Sequence, residues 1–340
     1  MRCTEVRMSS YPDGDVGPAH FGLADVELPA PRPGEVLVRN TWTSVDPGLR
    51  LRMRRHAPAG YFAAFPLDAP LDGVLTVGEV LESRADGFAA GDTVWHPFGW
   101  RTHAVVDASA TYMNGAGSLR VLDTASTPAS WYLGPLGAIG LTAWAGLHVV
   151  GALGGGERVW VSAAGGAVGS LVAQVAVLLG HRVVASAGSA EKVAWLRDEV
   201  GVEAAFDYRE EPPAQALARL APEGLDVYFD NVGGDHLEAA LDAMRPHGRI
   251  ALCGSVSDYE SEPRGPRNLF LATAKHLTLA GFRGSLHLDL LDDMQRRLGG
   301  WLRDGVVAHR QSVYEGLSQA PVALQDMLAG RTTGKTLVRL

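Results

Sequence analysis

Arg158-Val-Trp-Val-Ser-Ala-Ala-Gly-Gly-Ala-Val-Gly-Ser-Leu-Val-Ala-Gln-Val-Ala-Val-Leu-Leu179 is the stretch that decides the fold. Its first five residues, Arg158 to Ser162, read as a short strand buried on both faces. No linker follows. The chain passes directly into the glycine-rich turn Ala164-Gly-Gly-Ala-Val-Gly169 and then into an apolar helix running from Ala167 to Leu179. Strand, turn and helix in this order match a dinucleotide fingerprint with Ala164 in the first glycine position. Main-chain N–H groups at a helix start can hold a pyrophosphate; Gly166, lacking Cβ, permits the close approach, and Gly169 lets helix and strand pack tightly. Gly165, Gly166, Ala167, Val168 and Gly169 are therefore candidate cofactor contacts.

Downstream the same rhythm repeats. Arg182 to Ser186 and Ala204 to Asp207 read as strands around a helix from Ala190 to Val200, and Asp226 to Phe229, Arg249 to Cys253 and Leu277 to Phe282 supply three more. Six strands with helices between most of them imply parallel pairing through right-handed crossovers, so the fold class is α/β with a Rossmann doubly wound six-stranded sheet. Upstream, from Met1 to about Asp123, short apolar runs such as Glu35 to Arg39, Gly73 to Val80 and Asp92 to Trp95 alternate with Pro/Gly turns, which predicts a small, mostly β domain. A helix from Ser318 to Leu328 and a terminal strand from Thr336 to Leu340 should return to that domain. The predicted boundaries are 1–128 with 301–340 for the mostly β domain and 129–300 for the nucleotide-binding one.

Between them, Thr124 to Gly156 contains no Asp, Glu, Lys or Arg. Its length would suit a membrane span, but Pro128, Gly134, Pro135, Gly137, Gly140, Gly146 and Gly151 interrupt it and no positive clusters flank it, so a buried helix is expected. Composition is that of an ordinary globular chain: 46% hydrophobic and 20% charged residues over 340 positions. A formal charge of -8, with no dense basic run, argues against nucleic acid and anionic membrane as partners. Cys3 and Cys253 are the only cysteines, too few for a disulfide framework or a CxxC metal site. With no signal-peptide pattern at the N-terminus, the chain reads as cytoplasmic.

Which dinucleotide is bound turns on the end of the second strand, where an acid would hold the adenosine ribose of NAD and repel a 2′-phosphate. That acid is missing. Arg182 to Ala187 runs into Gly188-Ser-Ala-Glu-Lys192, which offers the Ser189 hydroxyl, N–H groups and the Lys192 ammonium, a set suited to NADPH.

The chain resembles the medium-chain dehydrogenase/reductases, and within them the zinc-independent branch of prostaglandin/leukotriene reductases, curcumin reductase and plant alkenal double-bond reductases. The resemblance spans essentially the whole chain and rests on Ser162 to Ser170, Gly188 to Lys192, Tyr228-Phe-Asp-Asn-Val-Gly-Gly234 and Gly334-Lys-Thr-Leu-Val338. It implies that the mostly β domain is GroES-like, that Lys192 and Tyr208 lie by the 2′-phosphate, and that Asn231, Cys253, Gly254, Ser255, Tyr259 and Phe282 line the nicotinamide end. Where alcohol dehydrogenases of the superfamily carry a zinc-binding cysteine, this chain has Ser44-Val-Asp-Pro-Gly48, so no metal is expected. Reduction of an activated C=C bond is the implied chemistry: hydride passes from NADPH to the β-carbon of an α,β-unsaturated ketone or aldehyde, and the Tyr259 hydroxyl stabilises the enolate oxygen. A small-molecule activated alkene is the implied substrate and a homodimer the implied assembly.

Two departures stand out. The family often has Asp-Pro-Tyr-Met-Arg where this chain has Asp46-Pro-Gly-Leu-Arg50, which should open the pocket at Gly48, and Thr332 stands where an asparagine is common, leaving it a weak substitute as a cofactor contact. Gly330-Arg-Thr-Thr-Gly-Lys-Thr336 imitates a P-loop but has three residues between its glycines and too little chain after it for a helix. Arg50, Arg52, Arg54 and Arg55 could bind an acidic substrate but read more simply as a solvated loop. His56, His96 and His103 lack metal-ligand spacing and receive no role. The same scaffold also suits a quinone or carbonyl reductase, a natural-product biosynthetic reductase, or, more remotely, a cofactor-binding protein without turnover.

Overall fold

A computed structural model describes residues 1–112, 117–261 and 263–340. The chain divides into two compact units, Met1–Gly137 with Gln311–Leu340, and Ala138–Arg310.

The first unit begins with an antiparallel pair, β1 (Arg2–Met8) and β2 (Phe21–Glu27). It continues with β3 (Glu35–Val45), β4 (Thr76–Ser83), β5 (Thr93–His96), β6 (His103–Asp107) and β7 (Arg120–Val121). The second unit contributes β8 (Arg158–Val161), β9 (Arg182–Ala187), β10 (Ala204–Asp207), β11 (Leu225–Asp230), β12 (Met244–Leu252) and β13 (Thr278–Gly281). The chain then returns to the first unit as β14 (Gln311–Glu315) and β15 (Lys335–Arg339).

β14, β15, β3, β4, β5 and β7 lie side by side, with β6 paired to β3. The terminal strand rejoins the N-terminal sheet as its sequence suggested: β15 runs antiparallel to β3, with Thr336 opposite Val45 and Arg339 opposite Trp42. Alternation drives this sheet, since Val36 and Val38 of β3 meet Val80, Val94 and Val106 in one core. A second core gathers Met8, Leu49, Phe65 and Trp100 with Leu324 and Val338 from the C-terminal segment. Gly330 to Gly334 feeds β15 and not a helix, which disposes of the P-loop reading. Lys335 is buried, its Nζ donating to Val45 O at 2.8 Å and to Asp46 Oδ1 at 2.7 Å.

In the second unit all neighbouring strands are parallel, in the order β10-β9-β8-β11-β12-β13. This is the doubly wound order: the chain moves outward from β8 to β10, then crosses back to lay β11 on the other flank of β8. The reversal leaves a crevice at the carboxyl ends of β8 and β11, the place where open α/β sheets hold ligands. Trp160, Phe206, Leu217, Tyr228 and Ile250 fill the core beneath it, and Trp160 stacks on Tyr228 with ring centroids 4.2 Å apart. Such a pair adds about 0.5–1.5 kcal/mol beyond the area it buries.

Three expectations need correction. The uncharged segment is not one helix but a 3₁₀ turn (Ala129–Leu133), an α-helix (Ala138–Ala145) and a π turn (Gly146–Val150). Gly134 and Pro135 break it first, and Gly151 N–H then bonds five residues back to Gly146 O. No described helix is long and apolar enough to cross a membrane. The helix expected over Ala190 to Val200 is α-helical only through Trp195 and finishes in a π turn, Leu196–Val200, closed by left-handed Gly201. The arginine cluster is not a uniformly solvated loop. Arg50 is buried and donates to Gly14 O at 2.6 Å. Arg52 lies 3.8 Å over the Phe65 ring and donates to Ala63 O; burial brings it down to about 10.

Candidate active site

The turn after β8 is built by close backbone contact. Ala163 adopts φ 48°, a left-handed conformation that non-glycine residues avoid, and its carbonyl accepts the Gly166 N–H at 2.9 Å. A Cβ added at Gly169 would lie 2.4 Å from that carbonyl oxygen and 2.8 Å from Ala164 Cα, so this position has no room for a side chain. At Gly166 the nearest protein atom would be 3.2 Å away, so the protein itself tolerates a methyl group there far better. The helix Ala167–Leu178 starts after Gly166, and Ser170 N–H makes its first main-chain bond, to Gly166 O. Helix geometry leaves the N–H groups of Ala167, Val168 and Gly169 with no carbonyl of their own helix to meet. Donors without partners beside a Cβ-free surface make a cradle that fits a pyrophosphate.

On one side of the cradle, Lys192 lies across Gly165, where an added Cβ would be 2.8 Å from its Cδ. Ser189 caps the short helix Ala190–Trp195, its Oγ accepting the Lys192 N–H at 3.3 Å. Partial burial and the nearby Arg209 guanidinium hold the Lys192 ammonium below the usual lysine range, against the pull of Glu191 and Asp207. Tyr208 follows β10 and covers Gly188, where an added Cβ would meet its hydroxyl at 2.9 Å. The structure thus gathers Gly165, Ser189, Lys192 and Tyr208 and adds Arg209, whose guanidinium carbon is 6.0 Å from the Tyr208 ring centroid.

On the other side, Ser162 and Asn231 join the ends of β8 and β11. Asn231 N–H donates to Ser162 Oγ at 3.0 Å and its Nδ2 to Ser162 O at 2.8 Å. Asp230 organises the loop that follows: one carboxylate oxygen accepts from the Tyr228 hydroxyl at 2.7 Å and from the N–H groups of Val232 and Gly233 at 2.9 and 2.8 Å. Burial pushes the Asp230 carboxyl above its ordinary range in spite of these donors. Sequence reasoning named the Asn231 motif but passed over Asp230 and Tyr228; an acid at the end of an otherwise apolar strand was the available signal.

After β12, Cys253 and Gly254 donate their N–H groups to Asp230 O. Burial, with the Asp230 charge adding to it, pushes the Cys253 thiol up to about 12, so it packs as a neutral group and is no nucleophile. Ser255 fits against Gly233, and the buried Tyr259 brings its hydroxyl to 3.3 Å from where a Cβ on Gly254 would stand. Phe282 follows β13 edge-on to Phe229, centroids 6.0 Å apart, and both rings press on Gly146. Asn231, Cys253, Gly254, Ser255, Tyr259 and Phe282 therefore follow the carboxyl ends of β11, β12 and β13.

Thr332 lies in the other unit, in the turn before β15, its hydroxyl accepting from Thr336 Oγ1 at 3.1 Å. The space beside Gly48 in the same unit is not open, because an added Cβ would sit 2.5 Å from the Tyr61 hydroxyl. His96 is structural: its ring bonds Asn40 Oδ1 at 3.0 Å and accepts the Phe98 N–H, and burial holds it at about 3. Among the described residues no group of three or more His, Cys, Asp or Glu is placed to hold a metal ion.

Comparison with known proteins bears on both units. Residues 4–113 match an N-terminal domain of oxidoreductases, and residues 167–296 match a domain described as zinc-binding dehydrogenase. The chain is 39% identical to an NADP(+)-dependent 2-alkenal reductase of Nicotiana tabacum, over 89% of this chain and 87% of the relative. It is 37% identical to prostaglandin reductase 1 of Bos taurus, over 94% and 93%. The crystal structure of CurA from Vibrio vulnificus in complex with NADPH superposes with a TM-score of 0.90 at 30% identity, covering 99% of this chain and 98% of that one.

Proposed function

The chain belongs to the medium-chain dehydrogenase/reductases, in their zinc-independent reductase branch, and from that membership we propose an account of its chemistry. It is an NADP-dependent oxidoreductase that reduces activated C=C bonds, with NADPH as coenzyme. Its substrates are α,β-unsaturated ketones or aldehydes of small size. The observation that carries this is the cradle at Gly166, where unshared helix-start N–H groups face a backbone without a Cβ and a lysine stands beside it.

When bound, NADPH supplies hydride to the β-carbon of the alkene. The residues do the rest. Ala167, Val168 and Gly169 bind the pyrophosphate through main-chain N–H groups, and Lys192 and Tyr208 take the 2′-phosphate with Ser189 beside them. Asn231, Cys253, Gly254, Ser255 and Phe282 orient the nicotinamide, and Thr332 is a minor contact. Tyr259 donates its hydroxyl to the enolate oxygen of the substrate, a role suited to a neutral phenol in a buried setting. In this reading the unit Ala138–Arg310, close to the expected 129–300, holds the coenzyme, and Met1–Gly137 with Gln311–Leu340, close to the expected 1–128 with 301–340, shapes the substrate site.

The assembly we propose is a homodimer in the cytoplasm. Two free cysteines suit a reducing compartment. β13 ends the parallel sheet, and Leu269, Phe270 and Leu286 nearby in sequence are 52%, 77% and 62% exposed, an apolar edge that a second copy would cover. The test of the function is NADPH oxidation with a panel of enones, enals, quinones and simple ketones. Turnover of the conjugated alkenes to saturated carbonyl products is expected; consumption confined to quinones or isolated ketones would overturn the ene reductase reading.

A further inference from the structure

β11 and β12 end side by side, Asp230 opposite Leu252, and the chain that leaves β12 hangs on the chain that leaves β11. Asp230 O accepts the N–H groups of Cys253 and Gly254 at 2.9 and 3.1 Å, and Asn231 O accepts the Val256 N–H at 3.3 Å. Val232 O accepts both the N–H and the hydroxyl of Ser257, at 3.1 and 2.6 Å. Three consecutive carbonyls thus fix the course of residues 253–257. The 3₁₀ turn Val256–Asp258 then delivers Tyr259, whose N–H closes on Val256 O at 3.3 Å.

Each of those carbonyls shares a planar peptide with the N–H of the next residue, so whatever holds the N–H aims the carbonyl. The Val232 and Gly233 N–H groups, partners of Asn231 O and Val232 O, both donate to Asp230 Oδ1, at 2.9 and 2.8 Å. The Asn231 N–H, partner of Asp230 O, donates to Ser162 Oγ at 3.0 Å. Tyr228 joins the two anchors: its hydroxyl donates to Asp230 Oδ1 at 2.7 Å and lies 3.1 Å from Ser162 Oγ. Charge on the carboxylate strengthens each hydrogen bond it accepts. Asp230 is 1% exposed and Tyr228 fully buried, so neither side chain can touch a bound coenzyme or substrate.

We infer that Asp230, aimed by Tyr228, is a positioning residue for the reduction: through the peptide planes of residues 231–233 it sets where the Tyr259 hydroxyl stands. This rests on the role given to Tyr259 above. Misplacing a reacting group by about 1 Å, from a substitution far from the chemistry, can cost about 10²-fold in rate, so a network that ligands never meet can still govern turnover.

Asp230→Ala releases two of the peptide planes, and Tyr228→Phe removes the hydroxyl that aims the carboxylate while keeping a ring of the same size in the core. With saturating NADPH and enone, kcat per NADPH-binding site should fall by about tenfold in the first and about threefold in the second, while KM for the enone and affinity for NADPH stay within about twofold of wild type. A cycle with Tyr259→Phe separates positioning from general weakening of the fold. Once the hydroxyl is gone its placement no longer matters, so Tyr228→Phe added to Tyr259→Phe should cost nothing further. Losses that multiply in the double variant, or an unchanged kcat in Tyr228→Phe, overturn the positioning role and leave that of Tyr259 intact. Wild-type turnover in Tyr259→Phe overturns both. Should Asp230→Ala not fold, the Tyr228→Phe cycle decides alone.

Discussion

Gly166→Ala and Gly169→Ala differ by three positions in one turn and should fail in different ways. At Gly169 the new methyl would stand 2.4 Å from Ala163 O and 2.8 Å from Ala164 Cα, both backbone atoms of a turn already holding Ala163 at φ 48°. Ordinary contact needs about 1 Å more, so the helix must back away from β8, a form of overpacking that costs about 1–3 kcal/mol. Spread over a unit of this size, that lowers Tm by about 2–12 °C. At Gly166 the nearest protein atom, the backbone oxygen of Ala163, is 3.2 Å away, so the methyl needs a shift of only a few tenths of an ångström in the unliganded chain, far less than at Gly169. It projects instead into the space where a pyrophosphate must approach the N–H groups. Thermal unfolding, with and without NADPH, separates the two cases. Gly166→Ala should melt within about 2 °C of wild type and lose most of the rise in Tm that NADPH produces, while Gly169→Ala should lose both. If Gly166→Ala binds NADPH as tightly as wild type by fluorescence titration, the close-approach argument for the cradle is wrong.

Tyr259→Phe removes one hydroxyl from a buried ring, so turnover on an enone should fall by about 10²-fold, as when a single oxyanion donor is deleted, with NADPH affinity near normal; unchanged turnover removes Tyr259 from the chemistry. Acid should destabilise the second unit through His236, which stacks on Trp160 and is held by burial at about 4. An unfolded histidine gains its proton near pH 6.5, so between there and about 4 the unfolded chain binds more protons and stability falls with pH, by about 2 kcal/mol at pH 5. Denaturant titrations at pH 7 and 5 should show His236→Phe with less of that loss; an identical loss in both proteins contradicts the assignment. The Lys335–Asp46 pair should be asymmetric, because Lys335 is 1% exposed and Asp46 23%. Asp46→Ala strands a buried ammonium at about 3–5 kcal/mol, whereas Lys335→Met leaves a carboxylate that water can reach, so the order of the two Tm losses is the check.

The parallel sheet was legible because each strand is a short apolar run that cannot be satisfied except between two neighbours and under helices on both faces, as in Arg158 to Val161. The turn at Ala164 to Gly169 was legible because three glycine positions answer to backbone geometry that follows from local sequence. What local sequence does not carry is which residues strand register brings together. Tyr208 over Gly188 depends on Ala187 lying opposite Asp207, and nothing in either segment alone encodes that pairing. Tyr61 beside Gly48 is a similar case. Reading position 48 by comparison alone suggests an emptied pocket, yet a phenol from thirteen residues onward fills the volume that a side chain there would take. Loss of a group at one position and its supply from another are indistinguishable in sequence, and differ only when the space itself is seen. The substrate side proposed above is therefore probed by substitutions at Tyr61, whose hydroxyl takes the space that a Cβ at position 48 would need, in preference to restoring a tyrosine at position 48.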